Sequence, residues 1–150
     1  MQQVRLNGIP QPYKMACGAL IYSKNTKRYL FLLRNRKFSG SWGLVGGKVE
    51  QDESAINALH REMFEEIQYS VTDDNKFIPI ETFTSDDENF KYHTYLVVVD
   101  NEFLPILNDE HRGYCWVEIK DVPKPLHPGF WKTFNFNEVI DKLSTVTSII

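Results

Sequence analysis

Residues 46–69 read GGKVEQDESAINALHREMFEEIQY, and the placement of the acids in this stretch decides how the chain is read. An α-helix turns about 100° per residue. With Glu62 set at zero, Ala55, Leu59, Met63, Ile56 and Ile67 fall between about 20° and 140°. That apolar stripe predicts a helix from about Glu53 to Gln68, packed on a core and capped by Asp52. Ser54, Asn57 and Arg61 fall on the far side. Glu65 sits near about 300°, Glu66 near about 40°, inside the stripe, and Glu62 at its edge.

A solvated charged face would carry its acids opposite the stripe. A lone buried carboxylate destabilises a fold by roughly several kcal/mol unless it is neutralised or paired. Glu62, Glu65 and Glu66 also repel one another at their helical spacing. Arg61 points away by angle, although its length lets it reach round. A divalent cation is the simplest compensation, and oxygen ligands select a hard ion such as Mg²⁺ or Mn²⁺. Taken alone, REMFEE is more often a solvated helix face than a metal site, and a helical interaction surface without metal is a further reading.

The rest of the chain sets the frame. At 150 residues it suits one domain, residues 1–150, with a sizeable core. A net charge of -3 provides no basic field, so an extended nucleic acid is an unexpected partner. Cys17 and Cys115 are too few and too far apart for a zinc site or a disulfide framework, which suggests reduced thiols and a cytoplasmic location. The longest apolar run, YLVVV, is far too short to span a bilayer, so no membrane role is expected.

Residues 1–12 read as an irregular lead-in. MACGALIYS (15–23) and RYLFLLR (28–34) form an expected hairpin across KNTK. A glycine-rich loop follows, with a short strand near Gly43–Val45. Strands are expected at 76–85, 90–100 and 113–119, then a proline-rich connection and a final helix over 130–144. Strands, helix, strands, helix predict a mixed sheet with helices packed on it.

The spacing extends beyond one turn. Gly47 is followed by five residues and Glu53, then seven residues and Arg61-Glu62, then Met63, one free residue, and Glu65-Glu66. This resembles the Nudix box, the signature of the Nudix hydrolases. Residues at roughly 5–8% usage each make a chance match to six fixed positions, anywhere in a chain of 150 residues, about one in 10⁵. SGSWGLVGGKVE resembles the segment leading into the box. DEHRGYCWVEIKDVP resembles a later strand and turn of short members, so the likeness covers roughly residues 15 to 123. Two positions depart from the pattern: Gln68 stands where a glycine usually ends the helix, which implies a different exit, and Val45 stands where many members carry proline.

The resemblance implies an α/β/α sandwich with a mixed β-sheet packed between helices. It implies Mg²⁺- or Mn²⁺-dependent hydrolysis of the pyrophosphate in a nucleoside diphosphate linked to another group. ADP-ribose-like and dinucleoside polyphosphate substrates are favoured. Nucleoside triphosphates and capped RNA are alternatives, as is a nucleotide-sensing module that does not hydrolyse. Residue by residue, Glu62 and Glu66 would be the main metal ligands, with Glu65 a third and the carbonyl of Gly46 a backbone ligand. Glu53 would position water or metal, oriented by Arg61. Glu62 and Glu110 are the candidate general bases. Arg34 and Arg36 are candidates for gripping phosphate. A homodimer is a possible state, since family members often pair. His60, His93, His111 and His127 share no metal-like spacing and read as structural, and Trp42, Phe83, Phe90 and Tyr92 read as packing residues before base-stacking ones.

Overall fold

The computed structural model describes residues 14–128 and 136–150. The expected lead-in and the start of the expected final helix lie outside these residues. Seven strands form one mixed sheet: β1 (Lys14–Ser23), β2 (Arg28–Arg34), β3 (Trp42–Gly43), β4 (Val45–Lys48), β5 (Lys76–Thr84), β6 (Phe90–Val99) and β7 (His111–Val117). Among the described residues, the α-helices α1 (Ala55–Ile67) and α2 (Phe136–Thr147) pack on it.

Strand β1 organises the sheet. Along one edge it pairs in parallel with β6 over its whole length, Lys14 opposite Phe90 through Ser23 opposite Val99. Its other edge is divided. Ala16–Ala19 pair with β4, and Ile21–Ser23 pair with β2. Strand β2 in turn pairs with β3 and β7, and β5 pairs with β6.

Because side chains alternate across a strand, β1 supplies two cores at once. Cys17, Ala19 and Ile21 face the α1 side, against Leu59, Met63 and Ile67. Leu20 and Tyr22 face the other side, against Phe31, Val139 and Leu143. That is why MACGALIYS is apolar at nearly every position rather than at every second one. The α/β/α sandwich is thus observed.

Several boundaries differ from the sequence reading. Ser54, not Asp52, caps α1: its hydroxyl accepts the Asn57 N–H at 3.1 Å. Strand β7 begins at His111, two residues before Gly113, so a histidine read as structural lies at a strand start beside the site. The short strand near Gly43–Val45 is two strands, split at Leu44. Gln68 does not change the helix exit. It adopts the left-handed conformation itself, φ 52°, and its N–H and that of Tyr69 bond to Phe64 and Met63 carbonyls. The geometry that glycine normally supplies is kept at the cost of a left-handed non-glycine residue.

Candidate active site

The apolar stripe of α1 is turned further toward the acids than the sequence angles indicated. Ala58, Leu59, Glu62, Met63, Glu66 and Ile67 are the buried residues, while Ile56 is 37% exposed. Glu62 and Glu66 therefore stand in the middle of the packed face. Glu66 is 2% exposed.

Strand β4 above them is shaped by absent side chains. A Cβ on Gly47 would lie 2.7 Å from Glu62 Oε1, closer than real contacts allow. A Cβ on Gly46, whose φ is 155°, would lie 2.1 Å from the Cys17 carbonyl oxygen. Two glycines thus let β4 lie against β1 on one side and the α1 acids on the other.

Glu66 is pushed up to about 11, first by burial, then by its hydrogen bond to Glu62, the Glu62 charge and the Glu110 charge. The backbone N–H of Gly46 opposes this rise. Two carboxyl groups in hydrogen-bond contact need a proton or a cation between them.

Arg61 reaches round the helix. Its Nη2 donates to Glu53 Oε1 at 2.6 Å and to the Lys48 carbonyl at 3.0 Å, and its Nε donates to Glu53 Oε2 at 3.2 Å. Its Nη1 donates to Glu62 Oε1 at 3.0 Å and Glu65 Oε2 at 3.4 Å. The guanidinium holds Glu53 below its ordinary range, and Glu53 holds the guanidinium above its own. Glu53 also accepts the Glu50 N–H at 2.9 Å, which fixes the turn before the helix. The structure thus brings together Gly46, Glu53, Arg61, Glu62 and Glu66, with half-exposed Glu65 at the edge. Among the described residues, the hydrogen bonds of Arg61 go to Glu53, Glu62, Glu65 and the Lys48 carbonyl, and not to Glu66, the most buried acid.

Glu110 lies on the turn before β7 and is exposed, yet its charge bears on Glu66. The neighbouring His111 was not anticipated. Its side chain is 3% exposed, Nδ1 lies 3.8 Å from Glu66 Oε1, and neither ring nitrogen has a hydrogen-bond partner among the described residues. Burial and the charge of Arg34 push it down to about 4, so at neutral pH it is an uncharged neighbour of Glu66 and not its ion-pair partner. The tandem Glu110-His111 was visible in the sequence, but its proximity to α1 follows from the β2–β7 pairing, which no local pattern encodes.

The two candidate phosphate residues separate. Arg34 donates its Nε to the Lys37 carbonyl at 2.7 Å, and its charge bears on Tyr92, His111 and His127. Arg36 pairs with Asp109 on the exposed surface. Tyr92 reaches across Gly18, where an added Cβ would meet its hydroxyl at 2.1 Å. Among the described residues, no group of three or more His, Cys, Asp or Glu side chains is arranged to hold a metal ion, and no helix is long and apolar enough to cross a membrane.

Comparison with known proteins gives the same direction. The model of the NUDIX domain matches residues 12–135. Dihydroneopterin triphosphate diphosphatase of Haemophilus influenzae is 31% identical over 115 residues, covering 67% of this chain and 72% of the relative. The mRNA-decapping enzyme subunit 2 of Saccharomyces cerevisiae is 28% identical over 133 residues, 85% of this chain but 13% of that much longer protein. Among solved structures, the Mycobacterium smegmatis Nudix hydrolase RenU superposes with a TM-score of 0.69 at 20% identity, covering 100% of this chain and 96% of the other, which bears on fold alone. With the box intact, its acids gathered on one helix face and the match spanning most of its length, the chain belongs to the Nudix family and is a Nudix pyrophosphohydrolase.

Proposed function

We propose that this enzyme hydrolyses a pyrophosphate bond in a small, soluble nucleotide-like diphosphate or triphosphate, using Mg²⁺ or Mn²⁺ held at Glu62, Glu66 and Gly46. The observation that carries this reading is the buried Glu62–Glu66 contact beneath Gly46 and Gly47 of β4. The pair fits a hard divalent ion: both side chains offer oxygen donors, and Glu66 keeps a proton that such an ion would displace. Since the acids alone do not form a three-ligand cluster, the carbonyl of Gly46, Glu65, Glu110 or substrate phosphate must complete the set. Bound there, the ion supplies charge neutralisation for the diphosphate and a lower pKa for attacking water.

The chain's own groups do the remaining work. Arg61 holds Glu53 and Glu62 at fixed distance through its forked donors. Glu53, anchored on two sides, positions water or metal at the helix start. Glu62 is the first candidate for the general base and Glu110 the second. Arg34, whose charge bears on Tyr92 and His111, binds phosphate, whereas Arg36 is engaged by Asp109 at the surface.

For the substrate, the Haemophilus relative adds dihydroneopterin triphosphate to the ADP-ribose-like and dinucleoside polyphosphate compounds favoured by the sequence. A panel of these, with nucleoside triphosphates and capped RNA, should be incubated with Mg²⁺ or Mn²⁺ and its products assigned by ³¹P NMR. Cleavage between phosphorus atoms in at least one compound is expected. Metal-independent turnover, or cleavage confined to phosphate monoesters, would overturn the reading.

A further inference from the structure

The segment after β6 returns along the C-terminal end of α1 and fastens there. Ile106 N–H donates to the Ile67 carbonyl at 3.2 Å, and Asn108 N–H to the Glu66 carbonyl at 3.4 Å. The Asn108 side-chain amide donates to the Glu65 carbonyl at 3.1 Å, satisfying one of the helix's last acceptors. The same amide donates to Glu110 Oε2 at 3.2 Å. Its oxygen accepts the Glu110 N–H at 3.0 Å, and its backbone carbonyl accepts the His111 N–H at 3.3 Å. One side chain therefore links the helix bearing Glu65 and Glu66 to the carboxylate of Glu110.

A plain helix stop does not need this arrangement. Glu110 is an acid brought, two residues after the Asn108 contact with the Glu66 carbonyl, to the C-terminal end of a helix, where unpaired carbonyls already carry negative partial charge. Some donor must hold it there, and Asn108 does. A second observation at the same turn points inward: the unpartnered His111 ring, almost wholly buried, 3.8 Å from Glu66. Buried polar groups without partners are rare in native structures and mark places where a ligand, water or functional contact belongs.

We propose that Asn108 is a positioning residue of this site: its side-chain amide holds Glu110 in register with the Glu62–Glu66 pair and ties that register to the end of α1. The inference rests on the reading that Glu110 belongs to the metal-holding set. Asn108 acts through Glu110 and need not touch substrate.

The test is a double-mutant cycle read by Mn²⁺ affinity, measured by electron paramagnetic resonance on the full chain. Asn108→Ser keeps a hydroxyl able to accept the Glu110 N–H but has no amide to donate. Asn108→Thr, with the same acceptor, serves if the serine variant does not fold. Glu110→Gln and Asn108→Ser are each expected to weaken Mn²⁺ binding about tenfold. The double variant is expected to lie within about twofold of Glu110→Gln, because the amide then has no acid to orient. A double variant weakened about a hundredfold, the product of two independent losses, would overturn the proposal. So would an Asn108→Ser protein that melts earlier yet binds Mn²⁺ as the parent does, the mark of a purely structural cap. Parental affinity in Glu110→Gln would overturn it through Glu110, and a parent protein that binds no Mn²⁺ would overturn it through the metal assignment, so each failure is distinguishable.

Discussion

Replacing Glu66 with glutamine should reverse an intuition about buried charge. Without metal, folded Glu66 keeps its proton up to about 11, whereas the unfolded chain releases it near 4.5. Between those values the folded state holds one proton more than the unfolded state. Stability therefore falls as pH rises, by about 1.4 kcal/mol per unit for each extra proton. From pH 6 to pH 8 this group alone removes about 3 kcal/mol from the metal-free enzyme. Glutamine is isosteric, does not titrate, and can donate to Glu62 without a shared proton. The Glu66→Gln protein should lack that part of the slope, so its stability relative to the parent should grow by about 3 kcal/mol across the interval. Urea denaturation in EDTA at pH 6, 7 and 8 measures this directly. Mn²⁺ at about 100 times its dissociation constant should add about 2.7 kcal/mol to the parent and much less to the variant. Parallel stability–pH lines for the two proteins in EDTA would refute the reasoning, because they would mean that Glu66 is ionised in the folded chain.

Other substitutions test neighbouring parts of the account. Gly47→Ala should fold, but its Cβ displaces the Glu62 carboxylate; Mn²⁺ affinity by calorimetry should fall about tenfold with little change in melting temperature. Gly46→Ala meets the Cys17 backbone instead, so denaturation should show a loss of roughly 3 kcal/mol. Gln68→Gly should stabilise the protein by about 1 kcal/mol by relieving a left-handed non-glycine residue, seen as a higher melting temperature with unchanged turnover. Arg61→Lys keeps the charge but loses the fork that joins Glu53 to Glu62; steady-state kinetics should show kcat reduced more than tenfold while the far-UV spectrum is unchanged.

The helix and its unusual acids were legible because a 3.6-residue period is local: angle alone placed Glu66 among apolar residues, and the structure buries it. The strands of the hairpin were equally plain from their apolar runs. What local pattern could not supply was pairing. The parallel contact of β1 with β6, the divided edge of β1 and the approach of β7 to β2 join residues far apart in sequence. These contacts deliver Glu110 and His111 to the α1 acids, so His111 read as an ordinary histidine and Asn108 drew no notice. Ile56 was assigned to the packed stripe because it is apolar, yet the core selects Ala58 and leaves Ile56 at the edge. At Gln68 the sequence implied a new exit, but the closing bonds to the Met63 and Phe64 carbonyls hold the left-handed turn with glutamine in place of glycine. Arg34 and Arg36 looked equivalent until Asp109 engaged one of them.

The central claim is that the buried Glu62–Glu66 pair exists to bind a divalent cation. Anomalous diffraction at the manganese edge, from crystals soaked in Mn²⁺, tests it most directly. The account predicts a peak within coordination distance of Glu62 and Glu66, absent in Glu66→Gln crystals treated identically. Fully bound manganese elsewhere on the molecule, with the two carboxyl groups still in contact and no peak beside them, would contradict it.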